Sequence, residues 1–303
     1  MGTPLVTIFT ITRNRCDLLP RAMKSILNQT YKNIEYIIID SASTDDTESV
    51  VKGFLDDRIK YVKLDQNETF GHCINMAVHL ATGKYITELD DDDEYHLDKI
   101  EKQVKLFESL PEEYGMVYCW MTYYDNITGD RLYDHKAELR GNVIEDVVEE
   151  PTVSGTPTLL FRKEIFDKIG GYKESEEIGI ESDWEFACRI CKHYKVDYVE
   201  ESLVNVFINH SHLRMSNIGY YKDKEEKNIK FRHHFLKEFN EVFEKHPQKA
   251  YTHLCSMAYS LYLLDRKNEF WKTYIRIISL APLKLYTWLL PLRAIKYRWP
   301  KSN

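Results

Sequence analysis

The 303-residue chain lacks the features that would mark several common classes of protein. Its six cysteines (Cys16, Cys73, Cys119, Cys188, Cys191, Cys255) are scattered without disulfide-framework spacing. The N-terminus has no signal-peptide pattern, and together these predict a reducing, cytoplasmic setting. Cys188-x-x-Cys191 has no second CxxC to complete a zinc site, and Trp184, Phe186, Ala187 and Ile190 surround it at helical spacing, so two core thiols are expected. No internal repeat is present. The most apolar C-terminal run, Leu283 to Leu292, is flanked or broken by Arg276, Pro282, Lys284 and Pro291, so it falls short of the ~20 residues a membrane-spanning helix needs. Acidic side chains are missing altogether from Phe270 onward. Seven basic residues lie there (Lys272, Arg276, Lys284, Arg293, Lys296, Arg298, Lys301), so the net charge of −7 leaves −14 on the rest. A body that acidic argues against nucleic acid as the partner.

The remaining composition, 43% apolar and 13% aromatic, is that of a globular protein with a full core. Leu5–Thr10, Tyr36–Ile39, Ile59–Leu64 and Tyr85–Leu89 read as buried strands. Between them, Leu18 to Leu27, Val50 to Leu55 and Ile74 to Leu80 carry apolar residues at helical spacing, with Ser43-Thr44-Asp45-Asp46 as a helix start capped by Ser43. Strands alternating with helices predict βαβ units and a mainly parallel sheet, an α/β fold whose ligands bind beyond the carboxyl ends of the strands. Thr12, Asp40 and Asp90 to Asp93 all fall at such ends. Further on, strands are expected over Gly115–Tyr124 and Thr158–Arg162 and a helix over Ser182–His193. After about residue 220 the pattern is helical, with a hairpin over Ala250–Leu264 and Asn268–Leu280. The expected division is therefore a catalytic domain over 1–219 and a helical extension over 220–303.

Four successive aspartates, Asp90 to Asp93, are hard to explain as packing, because each must stay solvated or be neutralised. A solvated acidic turn is one reading. The other is a Mg²⁺ or Mn²⁺ site, since these hard cations prefer carboxylate oxygen and take their remaining ligands from water and phosphate.

Five motifs in order resemble glycosyltransferase family 2, the inverting nucleotide-sugar transferases with the GT-A fold. They are Val6 to Arg15, Ile38 to Thr47, Asn75 with Ala81-Thr82-Gly83-Lys84-Tyr85-Ile86, Leu89 to Asp93, and Ile169 to Glu174 with Ser182-Asp183-Trp184-Glu185-Phe186. The resemblance covers about residues 4 to 216. It implies transfer of a sugar from a nucleoside-diphosphate donor, a UDP-sugar being favoured, to a hydroxyl of a glycan or lipid-linked glycan, in polysaccharide or cell-envelope synthesis. By the same resemblance Asp92 and His210 would ligate the metal, with His212 as a competitor for the second role. Thr12, Arg13, Asn14, Asp40, Ser43, Asp90, Asp91 and Arg214 would contact the donor, Asp40 accepting from a uracil N–H. Asp183 would be the general base, and Glu181 and Trp184 would lie on the acceptor side. Arg13 stands where the family has Tyr, Ile74 where many members have Arg, and Ser182 where Glu often precedes the base. The alternative from another class is a non-catalytic nucleotide-sugar-binding or interaction protein acting through its helical tail; an intact base position argues against it. The aromatic and basic tail (Trp271, Tyr274, Tyr286, Trp288, Tyr297, Trp299) suits either a peripheral contact with anionic lipid or a cap on the protein or a dimer partner.

Overall fold

A computed structural model describes residues 2–153, 155–174, 181–212, 223–284 and 288. Arg214 and most of the basic tail lie outside the described residues.

In chain order the elements are β1 (Val6–Thr12), α1 (Leu19–Leu27), β2 (Ile34–Asp40), α2 (Thr47–Gly53), β3 (Ile59–Lys63), α3 (Phe70–Leu80), β4 (Tyr85–Glu88), β5 (Glu94–Tyr95), α4 (Lys99–Ser109), β6 (Tyr114–Asp125) and β7 (Arg131–His135). They continue with α5 (Ile144–Val147), β8 (Leu160–Arg162), α6 (Lys163–Ile169), α7 (Ser182–His193), β9 (Lys195–Ile208), α8 (Lys224–Glu238), α9 (Asn240–Lys245), α10 (Tyr251–Leu263) and α11 (Lys267–Leu280). The nine strands form one sheet in the order β3-β2-β1-β4-β8-β6-β9-β5, with β7 paired to β6. The first four strands are mutually parallel; β8 enters antiparallel between β4 and β6, and β6 and β9 are parallel. The sheet is mixed and mostly parallel with flanking helices, as the alternating pattern predicts.

The apolar runs exist because the central strands are covered on both faces. Val6, Ile8, Tyr36, Ile38, Tyr85 and Leu89 join Leu19, Met23 and Ile26 of α1 and Ile100 and Phe107 of α4 in one core. Two close approaches fix the chain around it. At Gly83 an added Cβ would lie 2.6 Å from the Thr7 backbone nitrogen, so only glycine lets the 81–84 turn sit against β1. At Gly171 a Cβ would lie 2.5 Å from Asn75 Oδ1, where Asn75 accepts the Tyr172 N–H at 2.8 Å and donates to the Tyr172 carbonyl at 3.0 Å. Cys188 and Cys191 are buried thiols outside any disulfide.

The described residues divide into two compact units. Residues 2–143, 152–174 and 182–212 make the sheet unit; 144–151, Glu181 and the chain from 223 on make the helical unit. In the helical unit Phe235 packs on Phe231, Phe239 and His253, and α10 and α11 form the expected hairpin. The helix start at 43–46 differs in detail from expectation. No side chain caps α2 through Asp46; Asp45 accepts the Thr47 N–H instead, and the Ser43 hydroxyl serves the neighbouring loop.

Candidate active site

Parallel pairing of β1 and β2 runs to their last residues, so Thr12 lies opposite Asp40. The two loops beyond are tied together. Asn14, at φ 52°, donates its N–H to Ser43 Oγ at 2.9 Å and accepts the Thr44 N–H on Oδ1 at 2.7 Å. Arg13 beside it is exposed. Asp40, expected as an open acceptor for a base, is fully buried. Ser43 N–H donates to its Oδ1 at 2.8 Å and Tyr61 OH to its Oδ2 at 2.5 Å. Asp40 therefore shapes the turn that presents Ser43.

After β4 the chain turns back on itself, with Asp93 N–H donating to the Asp90 carbonyl at 3.2 Å. That turn separates four identical residues by direction. Carboxylate oxygens of Asp90, Asp92 and Asp93 all lie within 4.8 Å of one another, and among the described residues this is the one such cluster that could hold a metal ion. Asp91 is excluded from it. Expected beside Asp90 on the donor side, Asp91 is instead buried against Arg15, whose Nη1 lies 2.7 Å from Asp91 Oδ1 and 3.2 Å from Asp92 Oδ2. Burial pushes the Asp91 carboxyl up to about 6 despite that guanidinium.

The far side of the cluster is supplied by the end of β9. Asp93 Oδ1 accepts the Phe207 N–H at 3.0 Å. Arg21 lies over the Phe207 ring at 3.7 Å and donates to the Asp92 carbonyl. These contacts fasten the strand end to the aspartate turn and deliver His210, three residues on, to Asp92. His210 Nε2 stands 2.7 Å from Asp92 Oδ2, with the imidazole only 1% exposed. His212 pairs with Asp17 at 3.0 Å instead. The three carboxylates are a donor set that suits Mn²⁺ or Mg²⁺, and the His210 imidazole borders it through Asp92. The sequence carried no separate signal for Arg15 and Arg21, which hold this arrangement.

Asp183 is half-buried in the first turn of α7, and its Oδ2 lies 3.4 Å from Thr156 Oγ1. Desolvation pushes its carboxyl up to about 6. The helix is anchored by a buried ion pair: Arg189 Nε donates to Glu185 Oε1 at 2.8 Å, and its other nitrogens reach the carbonyls of Ile169, Gly170 and Gly171 at 2.7–2.9 Å. Glu88, at the end of β4, is buried and its acid is pushed well up by burial and by the charges of Asp90 and Asp183. The Trp184 indole is 5% exposed and belongs to the core, because the helical repeat turns it inward. Glu181 lies in the helical unit, where Arg232 Nη2 donates to its carboxylate at 2.8 Å.

The family model described as Glycosyl transferase family 2 matches residues 7–170, more than half of the chain. The protein named "Putative colanic acid biosynthesis glycosyl transferase WcaA" of Escherichia coli K12 is 25% identical over 297 residues, covering 92% of this chain and 94% of that one. Among solved structures, S. aureus TarS 1-349 in complex with UDP-GlcNAc superposes with a TM-score of 0.62 at 14% identity, over 96% of this chain and 88% of that one. The mannosyltransferase PcManGT of Pyrobaculum calidifontis, in complex with GDP-Man and Mn²⁺, gives 0.60 at 19% identity, over 99% and 89%. The chain belongs to glycosyl transferase family 2 and is a glycosyltransferase with the GT-A fold.

Proposed function

We propose that this protein is a metal-dependent, inverting transferase that moves a sugar from a nucleoside-diphosphate donor to a hydroxyl of a glycan or lipid-linked glycan. The observation that carries the reading is the convergence of Asp90, Asp92 and Asp93 with His210 on Asp92. Those four side chains would hold Mn²⁺ or Mg²⁺, and such a cation neutralises the charge that builds on a departing diphosphate. Asp183 is the general base. Its raised acidity constant, at about 6, puts a carboxylate of useful basicity in place near neutral pH, ready to take the proton of the incoming hydroxyl. The loop pair Asn14–Ser43 with Thr12 and Arg13 forms the nucleotide side, and Asp90 the ribose or sugar side. A UDP-sugar is the favoured donor, with UDP-GlcNAc bound by TarS and GDP-Man by PcManGT as the two alternatives to compare. The sheet unit together with the chain through 219 is the catalytic domain, and 220–303 its extension.

The extension has a surface suited to the lipid end of such an acceptor. On α11, Trp271 and Ile275 are exposed one turn apart, beside the exposed Lys272 and Arg276, and Leu283 and Trp288 beyond the helix are exposed as well. No helix among the described residues is long and apolar enough to cross a membrane. We assign this face to peripheral contact with an anionic bilayer. The name of the WcaA relative points to an envelope polysaccharide as the product.

The decisive experiment measures binding of UDP-glucose, UDP-GlcNAc and GDP-mannose with and without Mn²⁺, then nucleotide release on adding glycan acceptors. Donor binding that needs Mn²⁺, followed by acceptor-stimulated release, supports the reading. Metal-independent binding of every donor counts against it.

A further inference from the structure

Glu88 has no part in the chemistry assigned so far. It is 3% exposed, and neither carboxylate oxygen has a hydrogen-bond partner within the protein. An unmade hydrogen bond on a buried polar group is destabilising, and a leucine would fill a covered parallel strand without that penalty. The adjacent polar residue is fully served: Thr87 Oγ1 bonds the Leu159 carbonyl and lies 3.0 Å from the Tyr95 hydroxyl. Side chains alternate along β4, so Thr87 faces one side of the sheet and Glu88 the other. The groups that feel its charge are Tyr172, in the turn held by Asn75, Cys73 of α3, and Tyr95, whose hydroxyl donates to the Glu88 carbonyl. The charges acting on Glu88 are those of Asp90 and Asp183. Glu88 is the last residue of β4, two residues before Asp90, at the strand end from which the metal-binding turn departs. In an in-line displacement the transferred sugar has to occupy the space between the diphosphate and the incoming hydroxyl.

Resting on the donor-site reading above, we propose that Glu88 is a sugar-recognition residue: its carboxyl hydrogen-bonds a ring hydroxyl of the transferred sugar and so selects the donor by the configuration at that carbon. A site built to bond a hydroxyl discriminates strongly against a sugar that lacks it, because the protein group is then left unpaired. Glutamine keeps the shape and hydrogen-bonding capacity at this position, and leucine keeps only the volume.

The test uses the full chain with Mn²⁺ and whichever of UDP-glucose, UDP-GlcNAc and GDP-mannose supports the fastest nucleotide release. Glu88→Leu should lower kcat/KM for that donor ~30- to 100-fold, while the Kd of the free nucleoside diphosphate stays within about twofold. Glu88→Gln should retain most of the activity. Donors deoxygenated at single ring positions complete the cycle: one position should carry a tenfold or larger penalty in the wild type and none in Glu88→Leu. Should Glu88→Leu fail to fold, Glu88→Asp, which shortens the reach of the carboxyl, takes its place: a reduced penalty at the one ring position with nucleotide affinity kept supports the assignment, and an unchanged pattern overturns it. A silent Glu88→Leu, or one keeping every deoxygenation penalty, overturns the assignment and leaves the donor site standing. A wild type that binds no nucleotide overturns both.

Discussion

His210 Nε2 lies 2.7 Å from Asp92 Oδ2, across 118 residues of sequence. The two elements that meet there are the turn after β4 and the end of β9, and Asp93, Phe207 and Arg21 fasten them to each other. Asp92 thus faces both the carboxylate cluster and the imidazole. Asp92→Asn should lower Mn²⁺-dependent turnover at least ~100-fold, since one carboxylate charge is removed from a three-carboxylate set. His210→Ala should act more mildly. It should raise the Mn²⁺ concentration for half-maximal activity ~10- to 100-fold and leave much of the turnover at saturating metal. Titrating activity against Mn²⁺ separates the two, and identical curves for His210→Ala and wild type would remove His210 from the ligand set.

Asp183→Asn should keep donor and Mn²⁺ binding and lower kcat ~100- to 10,000-fold, the range general-base removal produces. The pH profile gives an independent check. Burial raises the Asp183 carboxyl to about 6, and only its ionised form accepts a proton, so turnover should fall as pH drops through about 6 and level off above it. That acidic limb should be absent from the residual activity of Asp183→Asn. A limb that persists in the variant would assign the titration to another group.

The strands and the site's location were legible because buried parallel strands are continuous apolar runs and their carboxyl ends fall at fixed places in the pattern. Val6–Thr12, Ile34–Asp40 and Tyr85–Glu88 announce themselves in this way. Direction within a turn was not legible. Four identical aspartates have no sequence difference to say that Asp91 turns to Arg15 while Asp93 joins Asp90 and Asp92. Long-range neutralisation was equally hidden, since Arg15 and Arg21 sit in a polar turn and a helix with nothing to mark their partners. Asp40 shows a related difficulty: an acidic residue at a strand end reads as a ligand group, and nothing in the sequence marks its bonds to Ser43 and Tyr61. Trp184 reads as an acceptor residue from its place in the motif, and the 3.6-residue repeat of α7 carries it into the core.

Arg189 should matter for stability more than for chemistry. It pairs with Glu185, which is fully buried, and binds three carbonyls of the 169–171 turn. Arg189→Met would strand Glu185 without its ion-pair partner and release the turn, a loss of ~3–5 kcal/mol. Urea unfolding would read this as a lower midpoint at unchanged slope. The double variant Arg189→Met with Glu185→Leu should recover part of the loss, because an apolar pair has no charge to desolvate.

The helical unit has its own pH dependence. His253 is fully buried between Phe235 and the Val148 carbonyl, and burial lowers its acidity constant from 6.5 to about 4. The unfolded chain therefore binds the proton first on acidification. The stability held by neutral His253 is complete above pH 6.5 and is lost as pH falls from there towards about 4, at up to about 1.4 kcal/mol per pH unit. Thermal unfolding at pH 7 and pH 5 should show a drop for the wild type that His253→Gln reduces.

Trp271 and Ile275 give the membrane assignment its test. Both side chains are exposed on α11, 52% and 64%; Trp271 meets the buried Phe270 and Tyr274 rings edge-on at 5.1 and 5.7 Å, and those two rings stay stacked on each other without it. Each large apolar side chain transferred from water into the headgroup boundary contributes ~1–2 kcal/mol. The double variant Trp271→Ser, Ile275→Ser should then reduce co-sedimentation with phosphatidylserine-containing vesicles at least ~10-fold. Its melting temperature and its transfer to a water-soluble acceptor should stay unchanged. Raised salt should weaken the wild type's binding as well, since Lys272 and Arg276 act through a screened field. Equal vesicle binding by the variant and the wild type would transfer this exposed face from lipid to a protein partner, and sedimentation velocity of the same two proteins would then show whether that partner is a second copy of the chain.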